Sequence, residues 1–322
     1  MDPRQPVMTH VQHAPRPRRQ APPGACGQAA AELRVTSAQR VVDPSTGLTK
    51  QDLVDHYAHA CSHMLPHLRR RPVALVRAPS GIEGQLFFQK HGQTLKIRGL
   101  KQLDPSLDPE HPPLMGIDSA TALIGAAQMN VVEFHTWNAR AERIEQPDRM
   151  TFDLDPGEGV AWSMMQDAAS MVRTLLGELG LACFLKTSGG KGLHLVVPLT
   201  PRDGWDAVKD FAQAVVQHLA ATVPGHFVAK SGPRNRVGRI FPDYLRNARG
   251  ATTVAAFSAR ARPGLGVSVP VAWEELAQLT GGAHWTIANV HERLAAGMDP
   301  WAGHVNTRQT IAEAAKALTS KT

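Results

Sequence analysis

The sequence predicts an α+β protein whose second half follows the order β-α-β-β-α-β, the ferredoxin-like or RRM-like plan, behind an N-terminal α/β subdomain. Three observations carry this. Residues 150–155, 181–186 and 193–199 are extended apolar runs bounded by Pro-Gly or glycine-rich turns. Met164, Ala168, Met171, Leu175 and Leu179 recur at helical spacing, as do Val208, Ala212, Val215 and Leu219. A last extended run over 236–244 closes the order.

Each element has a local reason. Residues 1–34 are rich in Pro, Arg, Gln and Ala without hydrophobic periodicity, and read as a disordered basic leader or interdomain linker. Order begins near Arg40. Thr49 caps a helix to about Leu65, with Asp52 completing a capping box; Pro66 and the arginines at 69–71 mark its end. Residues 73–77 and 85–90 form a hairpin, 119–129 a helix and 131–136 a strand. The predicted organisation is an ordered domain over 35–300, divided at 147/148 into the N-terminal subdomain and the catalytic core with its C-terminal elements. Residues 301–322 are a C-terminal helix or tail.

Composition narrows the function classes. The 322 residues are 43% hydrophobic and 20% charged, with no run near the roughly 20 apolar residues of a membrane span. The absence of a secretion-signal pattern makes the cytoplasm, at the nucleoid, the expected location. A formal charge of +7 and a pI of 9.6 suit a polyanionic partner, nucleic acid more than a membrane surface. Cys26, Cys61 and Cys183 are isolated from one another, so neither a disulfide nor a cysteine-rich zinc site is expected. His56, His59, His63 and His67 recur at helical spacing, but without acidic partners they read as a half-exposed helix face.

Three segments carry candidate chemistry. In Thr151-Phe-Asp-Leu-Asp-Pro-Gly157, Asp153 and Asp155 alternate along a strand and so share a face. Paired carboxylates of this kind hold a hard divalent cation, or form a solvated strand end. Lys186-Thr-Ser-Gly-Gly-Lys-Gly-Leu-His194 offers close backbone approach, the Ser188 hydroxyl, Lys191 and His194 to phosphate, or is an ordinary glycine turn. It lacks the spacing of a Walker loop. In the third segment, Asp243 ends an apolar run ahead of Arg246 and Arg249: a third metal ligand with phosphate-facing arginines, or a surface ion-pair cluster.

In this order the segments resemble archaeo-eukaryotic primases, and more closely the polymerase domain of bacterial DNA ligase D. The resemblance runs from about Arg40 to Leu276, through Arg-Pro-Val-Ala-Leu-Val-Arg77, Phe-Phe-Gln-Lys90, Val-Glu-Phe-His-Thr-Trp-Asn138, Asp-Leu-Asp-Pro-Gly157, the glycine loop and Asp-Tyr-Leu-Arg-Asn247. It implies a primase-like catalytic domain in which Asp153, Asp155 and Asp243 are catalytic and hold two Mn²⁺ or Mg²⁺ ions. It further implies nucleotide contacts from Ser188, Lys191, His194, His135, Arg246 and Arg260, with Phe87 stacking on the base and Phe88 as its rival. Arg40 and Lys50 match a pair that binds the 5′-phosphate of broken or gapped DNA.

The implied activity is addition of nucleotides, ribonucleotides preferred, with or without a template, to primer 3′ ends at double-strand breaks and gaps during non-homologous end joining. The implied context is fusion to ligase and phosphoesterase domains, with a Ku-type end-binding partner. Ala78 departs from relatives that carry an aromatic there, and the zinc cysteines of replicative primases are absent. A de novo primase and a non-catalytic RRM-like binding module are the rival readings; the second sits poorly with carboxylates where base-stacking aromatics would stand.

Overall fold

The computed structural model describes residues 24–92 and 95–321. Most of the expected leader, 1–23, lies outside the described residues. Its end does not behave as expected: Gly24–Ala31 is a helix, α1. It lies against α2 (Lys50–Leu68), and Cys26 and Cys61, 35 positions apart, meet there as a disulfide with Cα atoms 6.0 Å apart. The expectation of unpaired cysteines fails because sequence spacing carries no information about which helices pack together.

Helix α2 starts at the predicted capping box, where the Thr49 hydroxyl accepts from the Asp52 amide and the Asp52 carboxylate from the Thr49 amide. It runs past Pro66 to Leu68. A proline this near the end costs few helical hydrogen bonds, and Leu65 and Leu68 remain buried. The adjoining sheet is centred on β1 (Val73–Arg77), which pairs antiparallel with β2 (Phe87–Gln89) and, after α3 (Ala120–Gln128), with β3 (Val131–Thr136). Leu75 faces Phe134 across the ladder and packs with Tyr57, Met64 and Leu123. The opposite face, one residue out of phase, carries Glu133 and His135.

The second sheet is the predicted β-α-β-β-α-β unit: β4 (Arg149–Pro156), α4 (Trp162–Glu178), β5 (Phe184–Thr187), β6 (Leu193–Pro198), α5 (Trp205–Thr222) and β7 (Ile240–Asp243). With the edge strand β8 (Pro270–Val271), its order is β7-β4-β6-β5-β8, antiparallel throughout. Phe152, Leu154, Leu185, Leu193 and Leu195 share one face and are covered by α4 and α5. The buried stripe of α4 is Met165, Ala168, Ala169, Val172, Leu175 and Leu176, so the predicted Met164 and Met171 sit at its margin. Only Ile240–Asp243 of the last predicted run is strand; 233–236 is a 3₁₀ turn.

The chain then returns to the first core. Thr253–Val254 pairs with β3, and Ala255, Ala259, Leu265 and Val267 join the N-terminal cluster. The Tyr57 hydroxyl links these parts, donating to the Val132 carbonyl and accepting from the Ala259 amide. Two short helices follow, α6 (Val290–Ala295) and α7 (Ala312–Thr319); α7 places Ala314 and Leu318 in the hydrophobic core beneath the second sheet. No helix among the described residues is long and apolar enough to cross a membrane.

Candidate active site

The sheet ladder builds one row of polar side chains on the face turned away from α4 and α5. Asp153 is paired with Asp243 on β7 and with His194 on β6, and His194 is paired in turn with Lys186 on β5. Adjacent strands lie about 4.8 Å apart, so the row Asp243, Asp153, His194, Lys186 is contiguous. His194 Nε2 is 3.1 Å from Asp153 Oδ1, and Lys186 Nζ donates to Ser268 Oγ at 2.8 Å. Asp155, two residues along β4, shares this face.

Arginines now balance the carboxylates. Arg246 Nε lies 3.1 Å from Asp243 Oδ2 and 3.6 Å from Asp153 Oδ2; Arg236 Nη1 is 3.2 Å from Asp155 Oδ2. Burial and the neighbouring Asp153 charge push the Asp155 carboxyl up to about 6. Burial also raises Asp243. Burial acts the same way on Asp153 but is outweighed by His194, Arg246 and Lys186, which hold it well below the usual carboxylate range. Burial lowers His194 to about 4 and drives the Lys186 ammonium down. As these side chains stand, no three His, Cys, Asp or Glu groups among the described residues close on a single ion. The donor set nonetheless fits a hard divalent cation: all oxygen, on one face, with a carboxyl pair whose mutual repulsion such a cation relieves.

The glycine loop joins β5 to β6 beside this row. Ser188 Oγ is buried and accepts from the Gly190 amide at 3.1 Å and the Gly192 amide at 3.0 Å, so it knits the loop. Gly192 is obligatory, since a Cβ there would stand 2.2 Å from the Leu154 carbonyl oxygen. Lys191 is exposed at the tip, on a cavity of about 650 Å³ that Pro156, Trp162, Gly282 and His284 also line.

Arg260 ties the loop to the N-terminal sheet. Its Nη1 donates to the Ser188 carbonyl at 2.9 Å and its Nε to Glu133 Oε2 at 3.0 Å. Glu133 also takes His135 Nε2 at 2.7 Å and the Ala261 amide at 2.7 Å. Burial raises its carboxyl, but these partners prevail and hold it at about 2. Phe87 and Phe88 are both exposed, so burial does not choose between them. Phe88 stands in the ladder row of Val76 and Glu133 and meets the His135 ring edge-on at 5.9 Å. Phe87 points to the other face. Of the two, Phe88 belongs to this site.

Arg40 and Lys50 are neighbours, joined by the Lys50 amide on the Arg40 carbonyl at 2.9 Å. Lys50 Nζ is buried and donates to the Thr36 carbonyl at 2.8 Å, and the Arg40 guanidinium donates to the Pro79 carbonyl and Asn130. Their partners belong to the N-terminal subdomain, not to the carboxylate row. His56 is buried against the Phe257 carbonyl, 3.0 Å away, while His59, His63 and His67 are half-buried.

The profile of the LigD primase-polymerase domain matches residues 49–301. The chain belongs to this family. It is 56% identical over 298 residues to the multifunctional non-homologous end joining protein LigD of Pseudomonas aeruginosa, covering 92% of this chain and 36% of that protein. It is 35% identical over 257 residues to the LigD repair protein of Mycobacterium tuberculosis (77% and 34% covered). The chain thus spans about a third of these relatives. Among solved structures, the polymerase domain of M. tuberculosis ligase D in complex with DNA superimposes with a TM-score of 0.77 at 31% identity, covering 85% of this chain and 98% of that one.

Within the LigD primase-polymerase fold, four site residues had no role assigned from sequence. Glu133 was signalled by an acid two positions from His135 in an apolar strand. Lys186 and Asn247 lay inside recognised motifs. Arg236 carried no local signal, because its pairing with Asp155 is purely tertiary.

Proposed function

We propose that this domain extends primer 3′ ends at broken or gapped DNA by nucleotidyl transfer, as the polymerase part of an end-joining protein. The observation that carries the reading is the Asp243–Asp153–His194 row with the Ser188–Gly192 loop at its end. Asp153, Asp155 and Asp243 would hold two divalent ions, Mn²⁺ or Mg²⁺. When bound, such ions supply charge neutralisation for a phosphoryl centre and lower the pKa of a coordinated hydroxyl.

The chain's own groups do the rest. The primer 3′-hydroxyl gives up its proton to water as its oxygen attacks the α-phosphorus of a nucleoside triphosphate, the bond from that phosphorus to the α,β-bridging oxygen breaks, and pyrophosphate leaves. Lys191 and the Ser188 loop orient the triphosphate; Arg246 and Arg260 supply fixed positive charge as charge builds on the phosphates. His194 holds Asp153 in register, and His135, fixed by Glu133, faces the sugar side. Phe88 stacks under the base, in place of Phe87. Arg40 and Lys50 take the 5′-phosphate across the gap. Ribonucleotide preference, fusion to ligase and phosphoesterase modules, a Ku-type partner and work at the nucleoid complete the proposal.

The test is extension of a 5′-phosphorylated gapped duplex, comparing ribo- with deoxynucleotides and Mn²⁺ with Mg²⁺. Divalent-dependent extension with ribonucleotides preferred is the expected result; extension undiminished in EDTA would refute the reading.

A further inference from the structure

Strand β4 has a second charged end. Asp153 and Asp155 occupy one; about 17 Å back along the strand from Asp153, at 3.3 Å per residue, Asp148 and the Pro198 end of β6 border a separate cavity of about 310 Å³. Arg70, Arg71, Arg140, Arg143 and Arg308 line it, with His304. Only two carboxylates oppose them, leaving an excess of three positive charges. Both are spent internally: Asp148 takes Arg71 through two contacts of 2.6 Å and Arg140 at 3.0 Å, and Glu142 takes Arg70. Arg143 and Arg308 are exposed at the rim and donate only to main-chain carbonyls, of Pro201 for the first and of Val305 and Thr307 for the second.

His304 also borders the cavity. His304 is stacked on Trp301, ring centroids 4.8 Å apart, and its buried Nε2 has no hydrogen-bond partner among the described residues. Planar guanidinium forks around a concave site match a tetrahedral oxyanion. The volume is at the lower end of pockets that hold small ligands.

We propose that this pocket is a second anion site that binds a phosphate group, independent of the carboxylate row and of divalent metal. The phosphate has two sources with the same chemistry, a free mononucleotide or a DNA strand.

The experiment uses the full chain in EDTA, which removes metal-dependent nucleotide binding at the carboxylates. Adenosine 5′-monophosphate and a 5′-phosphorylated gapped duplex are titrated separately into the wild type and Arg143→Ala/Arg308→Ala. A loss of tenfold or more in monophosphate affinity establishes the site with a free nucleotide as ligand. Loss confined to the duplex, with a shallower salt dependence, establishes it with DNA as the source. Unchanged affinity for both probes overturns the proposal. Both arginines are exposed, so the variant is expected to fold; each single substitution provides the same comparison if it does not.

Discussion

Asn247 grips the main chain of Thr151 through both ends of its side-chain amide: the Thr151 amide donates to Oδ1 at 2.8 Å, and Nδ2 donates to the Thr151 carbonyl at 2.9 Å. The β7 ladder with β4 ends at Asp243–Asp153, and the chain turns into 3₁₀ helix over 244–247. The Asn247 side chain therefore continues the sheet where the backbone has left it. That clamp fixes the turn carrying Asp243 and Arg246.

Asn247→Ala leaves a buried N–H and C=O of β4 without partners, which costs about 2–4 kcal/mol in total. A urea denaturation midpoint measures this. Extension activity is expected to fall about tenfold as well, because the Asp243–Arg246 turn loosens.

Asp155→Asn is expected to stabilise the metal-free protein while removing activity. The carboxyl titrates near 6 when folded, raised by burial and Asp153, against 3.8 ordinarily. A raised carboxyl costs stability above both values, so the variant's advantage is full above pH 6 and fades as pH falls towards 4. With Asp155 partly exposed, the gain is on the order of 1 kcal/mol, about 1–2 °C in Tm. Melting curves in EDTA at pH 7.5 and 4.5 check it; an equal or larger gain at the lower pH contradicts it.

His194→Ala removes the cross-strand partner of Asp153 and a candidate phosphate contact. Extension is expected to fall about 10²-fold. Steady-state kinetics with varied nucleotide separate the two roles: a KM effect reports nucleotide contact, a kcat effect the positioning of Asp153.

Phe88→Ala is expected to raise the nucleotide KM about tenfold, the worth of one base–aromatic stack, while Phe87→Ala leaves it within about twofold. The reverse order would return the platform to Phe87.

The legible parts of this protein are those set by local periodicity. Asp153 and Asp155 share a face because strands repeat every two residues, and the β-α-β-β-α-β order follows from strand and helix patterns. The resemblance supplied the members of the site, whereas their contiguity comes from the ladder. What stayed hidden depends on packing between distant segments: the Cys26–Cys61 bond, the Arg236–Asp155 pair, and Arg260 bridging Glu133 to Ser188. The choice between Phe87 and Phe88 turned on which face of β2 meets His135, and a three-residue strand gives no periodic signal for that.

The most direct measurement is primer extension by Asp153→Ala on a 5′-phosphorylated gapped duplex with Mn²⁺, alongside equilibrium binding of the same duplex. The account predicts extension down by about 10³-fold or more with duplex affinity within about threefold of wild type. Extension at the wild-type rate would contradict a metal-dependent transfer centred on Asp153.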